Sequence, residues 1–316
     1  MPVPHSRTVY DGRRYARLPG RATRRRGGSQ VSTVDANLYQ SPGRGRGVID
    51  VFRRSYLLRL LVRKATATRY RNSVLGWTWS YVKPLSQFAV YYFVMGIILN
   101  AHRDVDNFAI YLFSGIVIIN LFNEGFGNAT NSIVDNGSLV RKIYLPRELF
   151  PVAAIIVSFV HFLPQVAVLL VICLFLGWAP SLIGIAAVLG GVLLVLVFAT
   201  GLGLFFSGIN VRFRDAQNLV EIIRMFSTWT SPVLYMWTLV IDKMPPWLFH
   251  IYMSNPLTVA AELFHVGFWA PTASSTPGLP PHFMVYTLAA CVVSLIMLVV
   301  GQTVFRRFER SFAQDL

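Results

Sequence analysis

The sequence predicts an all-α membrane protein with six transmembrane helices. Hydrophobic residues make up 54% of the 316 residues, and the mean hydropathy is +0.52. The apolar residues form blocks of about 20, the length that a helix needs to cross a bilayer. Residues 149–211 contain no Asp, Glu, Lys or Arg, which indicates two spans joined by a turn near Gly177. The predicted spans lie near 75–99, 107–129, 149–176, 182–208, 217–241 and 283–304.

The distribution of basic residues predicts the orientation. The formal net charge is +15, and 17 of the 29 Lys and Arg residues precede residue 72. Further groups at 141–147, 212–224 and 306–310 fall on the same side of the spans. Positively charged loops stay in the cytoplasm during insertion. We therefore expect both chain ends on the cytoplasmic side of the plasma (inner) membrane, and no nucleic acid as a partner.

Segments outside the spans differ from one another in composition. Residues 1–47 are rich in Arg, Gly, Pro and Ser, which predicts a disordered basic tail. Residues 48–72 are predicted to form an amphipathic interface helix, either as a membrane anchor or as a docking element for a cytoplasmic partner. Residues 73–310 hold the six spans, and 311–316 form a cytoplasmic tail. The apolar stripe of the interface helix comprises Val48, Val51, Phe52, Tyr56 and Leu60.

The stretch after the fifth predicted span is apolar and aromatic, but prolines interrupt it. Residues 244–270 contain Pro245, Pro246 and Pro256, and proline removes helical hydrogen bonds. We therefore expect short re-entrant helices at the outer side, with a break at Asn255 and a second helix that begins at Pro256.

The sequence contains no signature of catalysis or of ATP hydrolysis. H-E-x-x-H, C-x-x-C, G-x-S-x-G and phosphate-loop motifs do not occur. Cys173 and Cys291 lie in apolar runs, where packing is expected. Lys83 and Glu124 are expected near the cytoplasmic ends of their spans, and His161 is expected to bond a carbonyl group. We expect no bound cofactor or metal, and any ATPase would be a separate chain.

Two polar loops on the predicted cytoplasmic side could receive an ATPase. Residues 130–148 contain a turn around Asn136, followed by a possible short helix over 138–144. In residues 210–224, Asp215 could cap the fifth span. The positive-inside rule alone explains the arginines of both loops. It does not explain why two compact loops that can form helices lie on the same cytoplasmic face.

Aromatic and neutral polar side chains are frequent at membrane depth. Tyr and Trp at span ends usually anchor a helix at the interface, but Tyr92 and Trp229 lie deeper. Aromatic faces bind sugar rings and amides bind hydroxyls, so these residues could line a carbohydrate conduit. The same residues could equally serve to pack the helices against one another. The candidate conduit residues are Tyr81, Gln87, Phe88, Tyr92, Asn120, Asn123, Phe126, Phe226, Trp229 and Tyr235.

Four segments resemble, in order, the permease subunits of type-2 ABC exporters for bacterial cell-surface polysaccharides such as O-antigen, teichoic acid and galactan. The resemblance covers about residues 48–310. The Arg-, Gly- and Pro-rich composition favours an actinobacterial galactan exporter among them. The four segments are RNSVLGWTWSYVKPL at 71–85, NGSLVRKIYLPRELFPV at 136–152, VRFRDAQNLVEIIRMFSTWTSPVLY at 211–235 and NPLTVAAELF at 255–264.

The resemblance implies a homodimer with the conduit between subunits, and two ATP-binding subunits that carry ATP and Mg²⁺. It implies a lipid-linked glycan as substrate, moved from the inner to the outer leaflet. It also implies that the interface helix and the two polar loops transmit movement of the ATPase to the spans. The coupling residues implied in this way are Arg53, Arg54, Asn136, Ser138, Leu139, Arg141, Lys142, Tyr144, Arg212, Arg214 and Asp215.

Two other functions share some of these features. A permease for a drug or a small lipid would have the same fold, but the aromatic and neutral polar content favours a polysaccharide. A polytopic membrane glycosyltransferase would need an acidic motif that holds a metal and a phosphate-bearing donor. The one D-x-D motif, at Asp104 and Asp106, lies in a very short loop on the predicted outer side.

Overall fold

A computed structural model describes residues 51, 53–69, 73–103, 105–142, 145–310 and 312, all within one compact unit, Pro42–Leu316. Every regular element in these ranges is helical, which confirms the all-α prediction. The predicted basic tail, most of the C-terminal tail, Val48, Phe52 and Tyr144 lie outside the described residues. The α-helices are α1 (Ser55–Arg69), α2 (Trp79–Tyr91), α3 (Phe108–Asp135), α4 (Gly137–Lys142), α5 (Leu149–Phe175), α6 (Leu182–Arg212), α7 (Ala216–Trp229), α8 (Trp237–Lys243), α9 (Pro246–Met253), α10 (Pro256–Phe264) and α11 (Phe283–Glu309).

Four helices are long and apolar enough to cross a membrane, and they match four of the six predicted spans. They are α3, α5, α6 and α11. Helix α3 lies at the centre, in contact with α5, α6 and α7, and most of its side chains are buried. Helix α11 packs mainly on α6. The core of the protein is therefore built around α3.

The other two predicted spans are not single long α-helices. Helix α2 follows the 3₁₀ turn Gly76–Thr78 and continues as a π-helical stretch, Tyr92–Ile98. Helix α7 ends at Trp229, and the chain turns before α8 begins. Pro232 accounts for this break, because proline lacks an N–H and disfavours helical geometry in the residue before it. One continuous helix over 217–241 is therefore a wrong prediction.

Hydrogen bonds from other helices stabilise the turn between α7 and α8. The buried hydroxyl of Tyr111 donates to the carbonyl oxygens of Pro232 and Tyr235, at 2.8 Å each. The side-chain amide of Asn255 donates to the carbonyl oxygen of Thr230 at 3.4 Å. These bonds satisfy carbonyl groups that a continuous helix would have paired internally. The break is therefore a defined part of the fold.

The proline-rich stretch forms the short helices that the sequence predicts. Helix α10 begins at Pro256, and the Asn255 side chain accepts a hydrogen bond from the Leu257 N–H at 3.1 Å. This is an N-cap with proline at the first helical position. The predicted break is confirmed, whereas re-entry of these helices into a membrane stays a prediction.

A helix, α1, is present where the interface helix is predicted, whereas its place at a membrane interface stays a prediction. Val51 and Leu58 are buried against α5, where they contact a cluster that includes Leu149. Tyr56 is 76% exposed and Leu60 is 54% exposed. Helix α1 carries apolar residues on two faces, and contact with α5 decides which of them is buried.

Helices α6 and α11 cross with their backbones in contact. A Cβ atom on Gly301 would lie 2.0 Å from the carbonyl oxygen of Gly201, and one on Gly201 would lie 2.6 Å from the amide nitrogen of Leu298. Only glycine fits at such a distance, as in other close crossings of membrane helices.

Candidate functional site

A polar cavity of ≈ 660 Å³ lies between α2, α3, α5 and α7. Three residues of the predicted conduit line it, namely Gln87, Asn120 and Asn123. The Asn123 side-chain oxygen accepts a hydrogen bond from the Ser227 hydroxyl at 2.8 Å, which fixes the amide orientation. The other lining residues are Ser73, Trp79, Ser80, Lys83, Pro84, Glu124, Asn128, Gln165 and Arg224.

Two charged residues, Lys83 and Glu124, line the cavity. Lys83 lies about one turn after the start of α2 at Trp79, within the first turns of its span as the sequence predicts. Helix α3 continues to Asp135, so Glu124 lies about three turns inside the helix. Its carboxylate is 3.1 Å from Nδ1 of the buried His161, so a carboxylate, not a carbonyl, is the partner of this histidine. The prediction for Glu124 was wrong because the end of its helix was placed too early.

Arg224 is a cavity residue that sequence reasoning grouped with the cytoplasmic charges. It lies about two turns after the start of α7 at Ala216. Its guanidinium group crosses α3 at Gly127, where an added Cβ atom would be 2.9 Å from Nη1. A side chain at Gly127 would therefore displace Arg224. In the sequence, only the distance of Arg224 from the start of its helix indicated that it lies inside the bundle rather than at its end.

Two candidate conduit aromatics belong to a row of rings beside the cavity. Phe88 stacks on Tyr92 with 5.6 Å between ring centroids, and it meets Phe113 edge-on at 5.3 Å. Tyr92 in turn stacks on Phe108 at 6.1 Å. Phe88, Tyr92 and Tyr81 are half-buried, so part of each ring is accessible.

The remaining conduit aromatics have different surroundings. Phe126 is fully buried against Phe122 and Phe206. Its ring cannot contact a substrate in this arrangement, so its assignment to the conduit is corrected to core packing. Phe226 and Trp229 are about half exposed on the outward face of α7. The Tyr235 hydroxyl donates to the carbonyl oxygen of Trp229, which places Tyr235 beside the end of α7.

The basic loop after α3 contains the predicted short helix, α4. The Asn136 carbonyl oxygen accepts hydrogen bonds from the N–H groups of Leu139 and Val140, at 2.9 and 3.0 Å. Leu139 and Val140 pack into a cluster with Ile133, Leu204 and Phe305 from the ends of α3, α6 and α11. We call this end of the bundle the basic end. Ser138, Arg141 and Lys142 are exposed there.

A hydrogen bond joins α1 to the start of α4. The Lys64 Nζ donates to the side-chain oxygen of Asn136 at 3.3 Å, while the Asn136 amide donates to the Ser132 carbonyl at 2.9 Å. The structure thus brings the interface helix and the first coupling loop together. The sequence indicates Asn136 but not Lys64, because no local pattern links positions 72 residues apart. Arg53 and Arg54 are exposed just before α1.

The second basic loop connects α6 to α7. The Arg212 guanidinium lies 5.6 Å from the ring centroid of Phe213. Asp215 occupies the N-cap position of α7, but its side chain makes no capping hydrogen bond with a described residue. Capping by the Asp215 side chain is therefore a wrong prediction. Arg214 and Asp215 are both exposed.

The cavity offers ion pairing and hydrogen bonding. Within the described ranges, no group of three or more His, Cys, Asp or Glu side chains is arranged to hold a metal ion. Of the D-x-D motif, Asp104 lies outside the described residues. The Asp106 carboxylate accepts a hydrogen bond from the Ser275 N–H at 3.2 Å, an interaction that joins two loops.

Relatives of this chain are named as polysaccharide export proteins. It is 25% identical over 260 residues to an O-antigen export system permease protein RfbA of Klebsiella pneumoniae, covering 82% of this chain and 95% of that protein. It is 25% identical to RfbA of Myxococcus xanthus, covering 86% and 99% of the two chains. It is 21% identical to the capsule polysaccharide export inner-membrane protein CtrC of Neisseria meningitidis, covering 79% and 90%.

A family model described as ABC-2 type transporter matches residues 56–269. The matched range begins in α1, contains the cavity and both basic loops, and ends after α10. It covers about two thirds of the chain. The arrangement of apolar spans around a polar cavity, with basic loops at one end, agrees with this match, and the chain belongs to the ABC-2 type transporter family of membrane proteins.

Proposed function

We propose that this chain is the membrane subunit of an ATP-driven exporter, which moves a lipid-linked polysaccharide from the cytoplasmic to the outer face of the plasma membrane. The observation that carries the proposal is similarity over almost the whole length of proteins named O-antigen export permeases. The cavity supports it, because its amides suit sugar hydroxyls and its lining spans four helices. Among polysaccharides, galactan stays a prediction from composition.

The proposed topology has six crossings. Helix α2 with its π-helical extension forms the first, and α7 with α8 forms the fifth, broken at Pro232. Helices α9 and α10 re-enter the membrane from the outer side. The basic end faces the cytoplasm, as the positive-inside rule requires. Two copies form the conduit, and two separate ATP-binding subunits, which hold ATP and Mg²⁺, bind at the basic end.

The proposed coupling surface consists of α1, α4 and the loop between α6 and α7. The bond between Lys64 and Asn136 supports this assignment, because it makes α1 and α4 respond together to a partner. Arg141 and Lys142 are exposed at the basic end, and we assign them contact with an acidic patch on the ATPase.

Purification and reconstitution test the proposed function. The tagged chain, extracted from its own cells in a mild detergent, should recover an ATP-binding protein in a fixed ratio. Proteoliposomes of that complex should move the lipid-linked glycan only when ATP and Mg²⁺ are present. Recovery of the chain alone, with transport that needs no ATP, would contradict the proposal.

A permease for a drug or a small lipid is the second candidate. The cavity volume of ≈ 660 Å³ falls within the range of pockets for small molecules. The same proteoliposomes distinguish the two functions. ATP-dependent movement of a fluorescent small lipid, with no movement of the glycan, would favour the second candidate.

Substitution of Tyr92 or Trp229 by alanine should impair export without preventing dimer assembly. An aromatic contact contributes about 0.5–1.5 kcal/mol, so export should slow by roughly two- to tenfold. Phe175→Ala is a matched control, because this ring is 87% exposed at the end of α5. Export rates and chemical crosslinking of the dimer are the measurements. Unchanged export by both Tyr92→Ala and Trp229→Ala would exclude a lining role.

A further inference from the structure

Lys83 and Arg224 are two cations that face one cavity from opposite helices, α2 and α7. Neither side chain forms an ion pair or a hydrogen bond with a described residue. The ion pairs among the described residues join Glu124, Glu262 and Glu148 to other basic side chains. Nε of Arg224 is itself buried. A cation inside a membrane domain is costly unless a partner compensates its charge. Among the described residues, Lys83 and the partly buried Arg224 thus present two basic groups to the cavity that an anionic ligand can pair with.

Glu124 also faces the cavity, where its carboxylate contacts a different basic side chain. Its carboxylate is 3.1 Å from Nδ1 of His161, which is 1% exposed. This contact joins Glu124 on α3 to His161 on α5. The other ionisable side chains that line the cavity from the described residues are those of Lys83 and Arg224, which are both basic.

A third group in the cavity wall also lacks a partner. Gln165 is 3% exposed, and its side-chain oxygen has no hydrogen-bond donor. Its amide nitrogen makes only a long bond of 3.4 Å to the His161 carbonyl. A buried acceptor without a donor costs about 1–3 kcal/mol, so this oxygen is suited to a ligand hydroxyl. Gln87, Asn120 and Asn128 add amides to the same wall.

We propose that the cavity binds the phosphate-linked end of the lipid-linked glycan. Lys83 and Arg224 bind the phosphate or diphosphate oxygens, and the amides and Gln165 bind hydroxyls of the first sugar. The inference rests on the proposed function and names the part of the substrate that is recognised. The volume suits a sugar diphosphate and is far too small for a polymer, so the rest of the glycan must lie outside this cavity.

Binding of farnesyl diphosphate tests the phosphate half of the site. The full chain, with its ATPase if the two copurify, is placed in phosphatidylcholine nanodiscs, and binding is measured by calorimetry. Farnesyl diphosphate should bind, and farnesol should not. Lys83→Gln and Arg224→Gln should each weaken binding about tenfold or more, because each removes charge-assisted hydrogen bonds. Lys243→Gln, an exposed cation outside the cavity, should bind as the wild type does.

Conservative variants separate a binding defect from misfolding. Lys83→Arg should retain most of the affinity that Lys83→Gln loses. Gly127→Ala should weaken binding while Arg224 itself is unchanged, because the new methyl group displaces the guanidinium. Thermal unfolding of each variant in the same nanodiscs shows whether the fold is intact. Equal affinity of wild type, Lys83→Gln and Arg224→Gln would overturn the proposal.

Competing ligands identify the source of the phosphate. Inorganic pyrophosphate that binds as tightly as farnesyl diphosphate would indicate a free anion site, and equal competition by phosphatidylglycerol would indicate an ordinary lipid site. Either result would overturn the assignment to the glycan lipid. The assay uses neither ATP nor transport. A chain that exports glycan but does not bind the probe refutes only this site, whereas probe binding without export refutes only the proposed function.

Discussion

Gly301→Ala should lower the free energy of unfolding by about 3 kcal/mol and abolish most export. The added Cβ atom would lie 2.0 Å from the Gly201 carbonyl oxygen and 2.9 Å from the carbonyl carbon. Both are backbone atoms, so no flexible side chain can move aside, and α6 and α11 must separate. Overpacking costs about 1–3 kcal/mol and occasionally more. Because Gly301→Ala would also separate α6 from α11, we expect its loss of stability to lie near the upper end of this range.

Gly190→Ala is the matched control for this experiment. Gly190 lies on α6 as well, but a Cβ atom there would meet nothing within 4 Å. Alanine favours a helix by about 1 kcal/mol over glycine, so this variant should be as stable as the wild type or more stable. Reversible unfolding in mixed micelles measures both variants. Equal stability of the two would show that the crossing is not in backbone contact.

Charge reversal at Arg141 and Lys142 should separate ATP hydrolysis from transport. Both side chains lie on α4 and are exposed at the basic end of the bundle. If they contact acidic groups of the ATPase, two glutamates will repel those groups. We expect glycan export to fall by about tenfold or more, since each buried interfacial charge pair contributes several kcal/mol, while ATP hydrolysis continues.

Reversal of two charges at the opposite end controls for the change in net charge. Arg103 and Lys243 are exposed, and Arg103→Glu with Lys243→Glu changes the net charge by the same amount. The ratio of glycan exported to ATP hydrolysed, in proteoliposomes, is the measurement. A normal ratio for the Arg141 and Lys142 variant would remove α4 from the coupling surface.

The sequence predicted the helices that hydropathy alone defines. Helices α3, α5, α6 and α11 appear as long apolar blocks, and Pro256 marked the start of α10. The break after α7 was missed even though Pro232 is a local signal, because the apolar pattern continues on both sides of it. Burial of Leu58 against α5 was not predicted either, because a helix with two apolar faces is resolved only by the surface that covers one of them.

The candidate site was predicted by residue type more than by position. Gln87, Asn120 and Asn123 were predicted because their amides can form hydrogen bonds with sugar hydroxyls. Glu124 and Arg224 were missed because their depth depends on where α3 ends and α7 begins. Phe126 was wrongly assigned to the conduit. In the sequence, a phenylalanine that packs in the core cannot be told from one that lines a conduit, and only the packing of α3 against its neighbours separates the two.

The glycine crossing divides the protein into a part that cannot deform and a part that can. Two helices in backbone contact cannot slide past each other, so α6 and α11 must move as one body. The cavity is bordered on two sides by α2 and α7, which have fewer close neighbours and end in a π-helical stretch and a proline break. Such irregular ends are where helices bend. For the proposed export, we expect the conduit to widen by tilting of α2 and α7, while α6 and α11 keep their contact.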